Sequence, residues 1–128
     1  MRESIQKEFR VPNPENFDVR FRLRVRQGET IAIGPGKIDL LAAVQACGSI
    51  SAAARSLGMS YRRAWMLLEE LNASLSSPAT VSEQGGVKGG GSVLTPVGEE
   101  VIRIYRAIDE QARLSCARDI ERLTALLK

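Results

Sequence analysis

The sequence predicts a mostly α-helical fold with a small amount of β structure, and three observations predict it. Two helical patterns punctuated by glycine follow one another closely between residues 49 and 75. A strictly alternating apolar–polar run precedes them, and a glycine-rich hairpin pattern follows. A long helical stripe then fills the chain from Thr95-Pro96 onward.

A chain of 128 residues with 44% hydrophobic content supports one core. The expected organisation is a flexible lead-in over residues 1–16, a body over 17–95 and a C-terminal dimerisation helix over 96–128. No stretch is long and apolar enough to cross a bilayer, and the N-terminus lacks the apolar core of a signal peptide, so a cytoplasmic location is expected. The net charge of +3 is too mild to decide on nucleic-acid binding by itself. It is spread as +2 over residues 1–48 (eight basic, six acidic), +1 over 49–95 (four basic, three acidic) and zero over 96–128 (six of each). The last third is therefore the least suited to phosphate. The chain has no histidine, and Cys47 and Cys116 lie far apart without metal-ligand company. Without those groups no catalytic centre, metal site or cofactor site can be assembled, and an enzyme is not expected. Both cysteines fall in apolar or helical runs and are expected to be buried thiols.

Phe17, Val19, Phe21, Leu23 and Val25 alternate with Asp18, Arg20, Arg22, Arg24 and Arg26, which predicts a half-buried strand with a solvated arginine face. Gln27-Gly28-Glu29 turns it into a second strand over 30–33, giving an N-terminal two-stranded element. Gly34-Pro35-Gly36 stops that strand. A helix over about 37–46 follows, carrying Ile38, Leu40, Leu41, Val44 and Cys47 around most of its circumference, with Gly48 as a left-handed cap. A helix so apolar needs cover on several sides, from its own core and from a partner chain.

Either Ser49 or Ser51 can cap the next short helix, whose alanines allow close approach. Gly58 ends it, and Ser60 offers an N-cap for a second helix running to about Leu75. Ala64, Leu67, Leu68, Leu71 and Leu75 make the buried stripe of that helix. A three-residue turn containing glycine joins the two, which is a helix-turn-helix pattern. Residues 79–84 and 92–95 flank Gly85-Gly86-Val87-Lys88-Gly89-Gly90-Gly91, a hairpin with one cation near its tip. Helix-turn-helix followed by hairpin is winged-helix order. From Pro96, Val101, Tyr105, Ile108, Ala112 and Ser115 advance by threes and fours, and the stripe continues through Ile120, Leu123 and Leu127. One helix over that span would be about 48 Å long. That exceeds what a small core covers and predicts pairing with a second copy.

The candidate DNA contacts follow from this layout. With Ser60 as cap, Tyr61, Arg62 and Arg63 occupy the first turn of the second helix, the end that such folds insert into the major groove. One arginine can fork onto guanine while its neighbour holds phosphate. Trp65 lies one turn on from Tyr61; its bulk favours the core over the DNA surface, though it stands among the candidates. Ser49, Ser51 and Ala52 open the preceding helix, where free backbone N–H groups can hold phosphate. Lys88 on the hairpin tip is a candidate for phosphate or the minor groove. The tip is not a nucleotide-binding loop, because no Gly-Lys-Ser/Thr closes it.

Across Gly48-Ser49-Ile50-Ser51-Ala52-Ala53-Ala54-Arg55 and Met59-Ser60-Tyr61-Arg62-Arg63-Ala64-Trp65, the chain resembles the N-terminal DNA-binding domain of ModE-type molybdate-responsive regulators, relatives of the LysR-type winged helix. The likeness includes the glycine-rich wing and Leu94-Thr95-Pro96-Val97-Gly98, and covers roughly residues 18–110. It implies dimerisation through the first and last helices and places Tyr61, Arg62 and Arg63 toward DNA. Regulators of that family carry C-terminal molybdate-binding domains. This sequence ends at Lys128 and has no Ser-Ala-Arg-Asn-Gln-like oxyanion loop, so sensing in the family's usual manner is not expected. The expectation is a stand-alone regulator, one served by a separate effector-domain protein, or a fragment. The resulting function is sequence-specific binding of double-stranded DNA by a homodimeric transcriptional regulator, linked to molybdate or other oxyanion metabolism. The alternative is a protein-interaction adaptor that keeps the fold without DNA binding.

Overall fold

The computed structural model describes residues 17–83 and 91–128. Over them run β1 (Val25–Gln27), β2 (Thr30–Ile33), α1 (Pro35–Cys47), α2 (Ile50–Ser56), α3 (Tyr61–Ser74), β3 (Thr80–Glu83), β4 (Gly91–Leu94), α4 (Pro96–Ser115) and α5 (Ala117–Thr124). Both sheets are antiparallel pairs, β1 with β2 and β3 with β4. The α2–α3 pair followed by the β3–β4 hairpin is the winged-helix order that the sequence predicts. Two compact units divide the described residues, one from Leu23 to Tyr105 and one made of residues 17–22 with Arg106–Lys128.

The first unit is built on α1, α2 and α3. Leu40, Leu41 and Val44 of α1 are fully buried, as are Ala53, Ala64 and Leu71, and Ala54 and Leu68 are nearly so. Ala79 and Ile102 close the same core. Alanines buried in this core put little side chain between neighbouring helices, which permits close approach. Gly48 ends α1 at φ +81°, its N–H donating to the Val44 carbonyl at 2.8 Å. The left-handed cap that the sequence predicts is thus in place. Lys37 is the polar exception in this core: its side chain is 6% exposed, donates to the Ile31 carbonyl and sits 3.1 Å from the Glu70 carboxylate. One ammonium therefore joins β2, α1 and α3.

Thr95 does several things at once. Its backbone N–H donates to the Ala79 carbonyl at 2.9 Å. Its hydroxyl donates to the Pro78 carbonyl at 2.7 Å and accepts from the Gly98 N–H at 3.1 Å, capping α4. This brings the first turn of α4 so near Ala79 that a Cβ on Gly98 would lie 2.2 Å from the Ala79 carbonyl oxygen.

In the second unit, Arg113 of α4 is the organising side chain. Its guanidinium lies 3.0 Å from Asp109, donates to the Val19 carbonyl at 3.1 Å and covers the Phe21 ring at 5.9 Å. Ile120 and Thr124 of α5 are buried.

Three expectations need correction. The strand predicted from Phe17 reaches a partner only over Val25–Gln27, because β2 has just four residues to offer. The alternation of burial persists from Phe17 to Arg24. There the backbone is met by side chains, Arg113 on Val19 and, within the first unit, the Tyr105 hydroxyl on Leu23 at 2.8 Å. Period two reported which side chains turn inward, not a ladder. The C-terminal helix is broken at Cys116, which lies between α4 and α5 with φ −100° and ψ +4°. Cys47 and Cys116 are exposed, not buried. Cys47 sits in the last turn of α1, past the edge of the core, where Gln45 and Ala46 are exposed too; Cys116 sits at the helix break. Ile38, Leu40, Leu41 and Val44 of α1 are buried within the single chain.

Gly98→Ala must push its new methyl into backbone and should lower unfolding free energy by about 1–3 kcal/mol in urea titrations. At Gly36 an added methyl would meet nothing within 4 Å. Gly36→Ala should therefore hold or raise stability by up to about 1 kcal/mol.

Candidate nucleic-acid interface

The local chemistry of residues 57–64 sets the exposed end of α3. Gly58 takes φ +68°, a left-handed turn that a side chain would strain. Four residues, Leu57 to Ser60, separate α2 from α3. Met59 tucks back, its N–H donating to the Ala54 carbonyl at 3.0 Å. Ser60 is extended at φ −71°, ψ 157°, and its hydroxyl accepts from the Arg63 N–H at 3.1 Å while its carbonyl accepts from the Ala64 N–H at 3.1 Å. The predicted N-cap is therefore present in both its side-chain and main-chain parts.

That cap determines where the first turn points. Ala64, Leu68 and Leu71 take the core face, so Tyr61, Arg62, Arg63, Trp65 and Met66 lie on the exposed side. Neither Arg62 nor Arg63 forms an ion pair among the described residues, and no acidic residue occupies the first turn. Tyr61 is 54% exposed and Trp65 45%. The expectation that Trp65 belongs to the core is corrected, since alanine and leucine already fill the inward positions of α3. Met66, which the periodicity of the sequence did not single out, is 45% exposed beside Arg62 one turn away. The available signal was its place on the face opposite the Ala64–Leu68–Leu71 stripe.

Ser49, of the two capping candidates, is the one that caps α2. Its hydroxyl accepts from the Ala52 N–H at 3.1 Å, and its carbonyl accepts from the Ala53 N–H at 3.0 Å. The Ala52 N–H is thereby taken up by its own cap, which corrects the expectation that it stands free for phosphate. Ser51 is exposed. Lys88 lies outside the described residues. The bases of the hairpin are fastened to the helices: Asn72 of α3 accepts from the Ala79 N–H at 2.7 Å and donates to the Thr80 hydroxyl at 3.2 Å. On the other strand, the Ser92 N–H donates to the Gly48 carbonyl at 3.0 Å. Neither Asn72 nor the Lys37–Glu70 pair is legible in the sequence, because each joins elements whose adjacency is decided by folding.

Comparison with known proteins agrees with this geometry. Residues 36–99 match bacterial regulatory helix-turn-helix proteins of the lysR family. The molybdenum-pterin-binding protein MopB of Rhodobacter capsulatus is 47% identical over 77 residues, which are 60% of this chain and 28% of that protein. The transcriptional regulator ModE of Haemophilus influenzae is 33% identical over 95 residues, 74% of this chain and 36% of that one. The chain thus spans about a third of the length of the curated relatives it matches. Among solved structures, a CbnR DBD–DNA complex superposes with a TM-score of 0.51 and 26% identity over 70% of this chain and 95% of that chain. Full-length CbnR complexed with its target DNA gives a TM-score of 0.50 at 25% identity, over 66% of this chain and 27% of that one.

Removing the cap tests the local construction. Ser60→Ala should lower stability by about 1 kcal/mol, whereas Ser60→Asp should be near neutral, both measured by chemical denaturation.

Proposed function

We propose, for a chain that belongs to the lysR family of bacterial regulatory helix-turn-helix proteins, that the capped end of α3 enters the major groove of double-stranded DNA and thereby regulates transcription. The observation that carries this is the first turn of α3, where two arginines without ion-pair partners among the described residues stand beside an exposed tyrosine. A guanidinium fork matches guanine O6 and N7, and a second arginine at the same height can hold the flanking phosphate. The likeness to a CbnR DNA-binding domain solved as a DNA complex supports DNA as the partner. Ser49, Ser51 and Lys88 are proposed as additional backbone contacts.

The acting species is proposed to be a homodimer. Ile108 of α4 is about half exposed, and Leu114, Leu123, Leu126 and Leu127 are more exposed still. A second copy covering that stripe would remove apolar surface from water. The pairing surface is therefore assigned mainly to α4 and α5, with α1 a lesser contributor. Its duplex partner would place the protein in the cytoplasm; among the described residues no helix is long and apolar enough to cross a membrane. The names of MopB and of the molybdenum transport protein ModE of Azotobacter vinelandii motivate a further expectation, that the genes it controls serve molybdenum or another oxyanion.

Selection from a random duplex pool should return a palindrome with half-sites about one helical turn, or a multiple of it, apart. The double variant Arg62→Ala, Arg63→Ala should bind the selected duplex at least about tenfold more weakly and with a shallower dependence of log affinity on log salt. Unchanged binding by that variant would sink the assignment. No binding of bulk duplex at low salt would favour a protein-interaction adaptor. Ile108→Asp should convert the dimer to monomer in sedimentation velocity.

A further inference from the structure

We infer that Tyr61, Trp65 and Met66 form an apolar strip on α3 that contacts thymine methyl groups in the major groove, so that each half-site carries thymines at fixed positions beside the base pairs met by the arginines. This rests on the placement of α3 proposed above.

The starting point is an imbalance of exposure. Tryptophan and methionine are ordinarily drawn inward, yet Trp65 and Met66 are each 45% exposed and Tyr61 is 54% exposed. The inward face has no room for them: Ala64 and Leu71 are fully buried and Leu68 is 3% exposed. Tyr61 and Trp65 are four residues apart, as are Arg62 and Met66, so two adjacent rows on the helix surface each carry an apolar side chain. Large apolar side chains left in water are stabilised by a partner surface that is itself apolar in part. Two of the candidate partners differ in this respect. Phosphate and sugar edges offer polar atoms, whereas base pairs in the major groove present one apolar group, the thymine C5-methyl. The interleaving of Arg62 and Arg63 with these residues distinguishes the strip from a purely apolar protein contact. Arginine supplies donors for guanine; the tryptophan ring and the methionine thioether supply surface for thymine. The flexible methionine can follow the methyl group's position, while the tryptophan gives a rigid wall.

The test uses the full chain and the duplex it selects. Each thymine is replaced in turn by uracil, which deletes the methyl group and leaves the pairing edge unchanged. At one or two positions per half-site affinity should fall about four-fold, the loss expected for one buried methyl. Trp65→Ala or Met66→Ala should abolish that uracil sensitivity at its own position. Because the uracil scan needs only the unaltered protein, poor folding of one variant does not blunt it. If every uracil duplex binds as tightly as its parent, the inference fails while the DNA-binding reading stands. If sensitivity appears but neither variant changes it, the assignment to this strip fails. If the chain binds no duplex at low salt, both fail together.

Discussion

Three alanines, Ala53 and Ala54 of α2 and Ala64 of α3, are buried in the core that the helices share, and the usefulness of α3 depends on the closeness such small side chains permit. With larger residues there the helices would stand apart, and the Leu68–Leu71 stripe would lose its seat against α1. With the alanines in place, the inward face of α3 is spent entirely on the core. What remains facing out is the Ser60-capped first turn and the row that follows it. The exposed arginines and aromatics are thus the other side of a packing decision: nothing bulky can turn inward at 61, 62, 65 or 66 because the inward positions are already occupied.

Polar fastenings then hold the neighbours of α3 around it. Lys37 reaches the Ile31 carbonyl and the Glu70 carboxylate, so the β1–β2 pair and α1 are tied to the middle of the helix. Asn72 fixes the entry to β3, and Thr95 joins the hairpin's far end to the start of α4. Apart from the exposed Thr95–Pro78 bond these are shielded in part from water, and a buried carbonyl or ammonium left without its partner costs more than the bond contributes when made. They therefore specify which elements are adjacent more than they add stability.

Charge acts by placement. The surplus of +3 is small, and several arginines are engaged: Arg20 with Asp18, Arg103 with Glu100, Arg113 with Asp109 and Arg122 with Asp119. The guanidinium groups of Arg20 and Arg103 are held above their ordinary values chiefly by hydrogen bonds to those carboxylates. Arg62 and Arg63 are not so engaged among the described residues, and Glu70 on the same helix faces Lys37. The first turn of α3 is left locally positive on a molecule that is nearly balanced as a whole.

The sequence by itself determined what depends on neighbours within a turn or two. The sequence left the cap of α2 between Ser49 and Ser51 and the folded chain uses Ser49, while Ser60, Thr95-Pro96 and Gly48 stand where their side-chain and backbone chemistry requires, and the helical stripe of α3 is the one its spacing shows. The order helix, turn, helix, hairpin, helix follows from the same short-range signals. Only the tertiary structure decided which residues lie at the margin of the core. Trp65 and both cysteines are exposed, residues 17–24 alternate without a ladder, and the last helix breaks at Cys116. Lys37 on α1 finds Glu70 far along on α3, and Asn72 finds the start of β3. Periodicity states which side chains share a face; whether another element covers that face depends on the distances between elements, and those are set by packing across the whole chain.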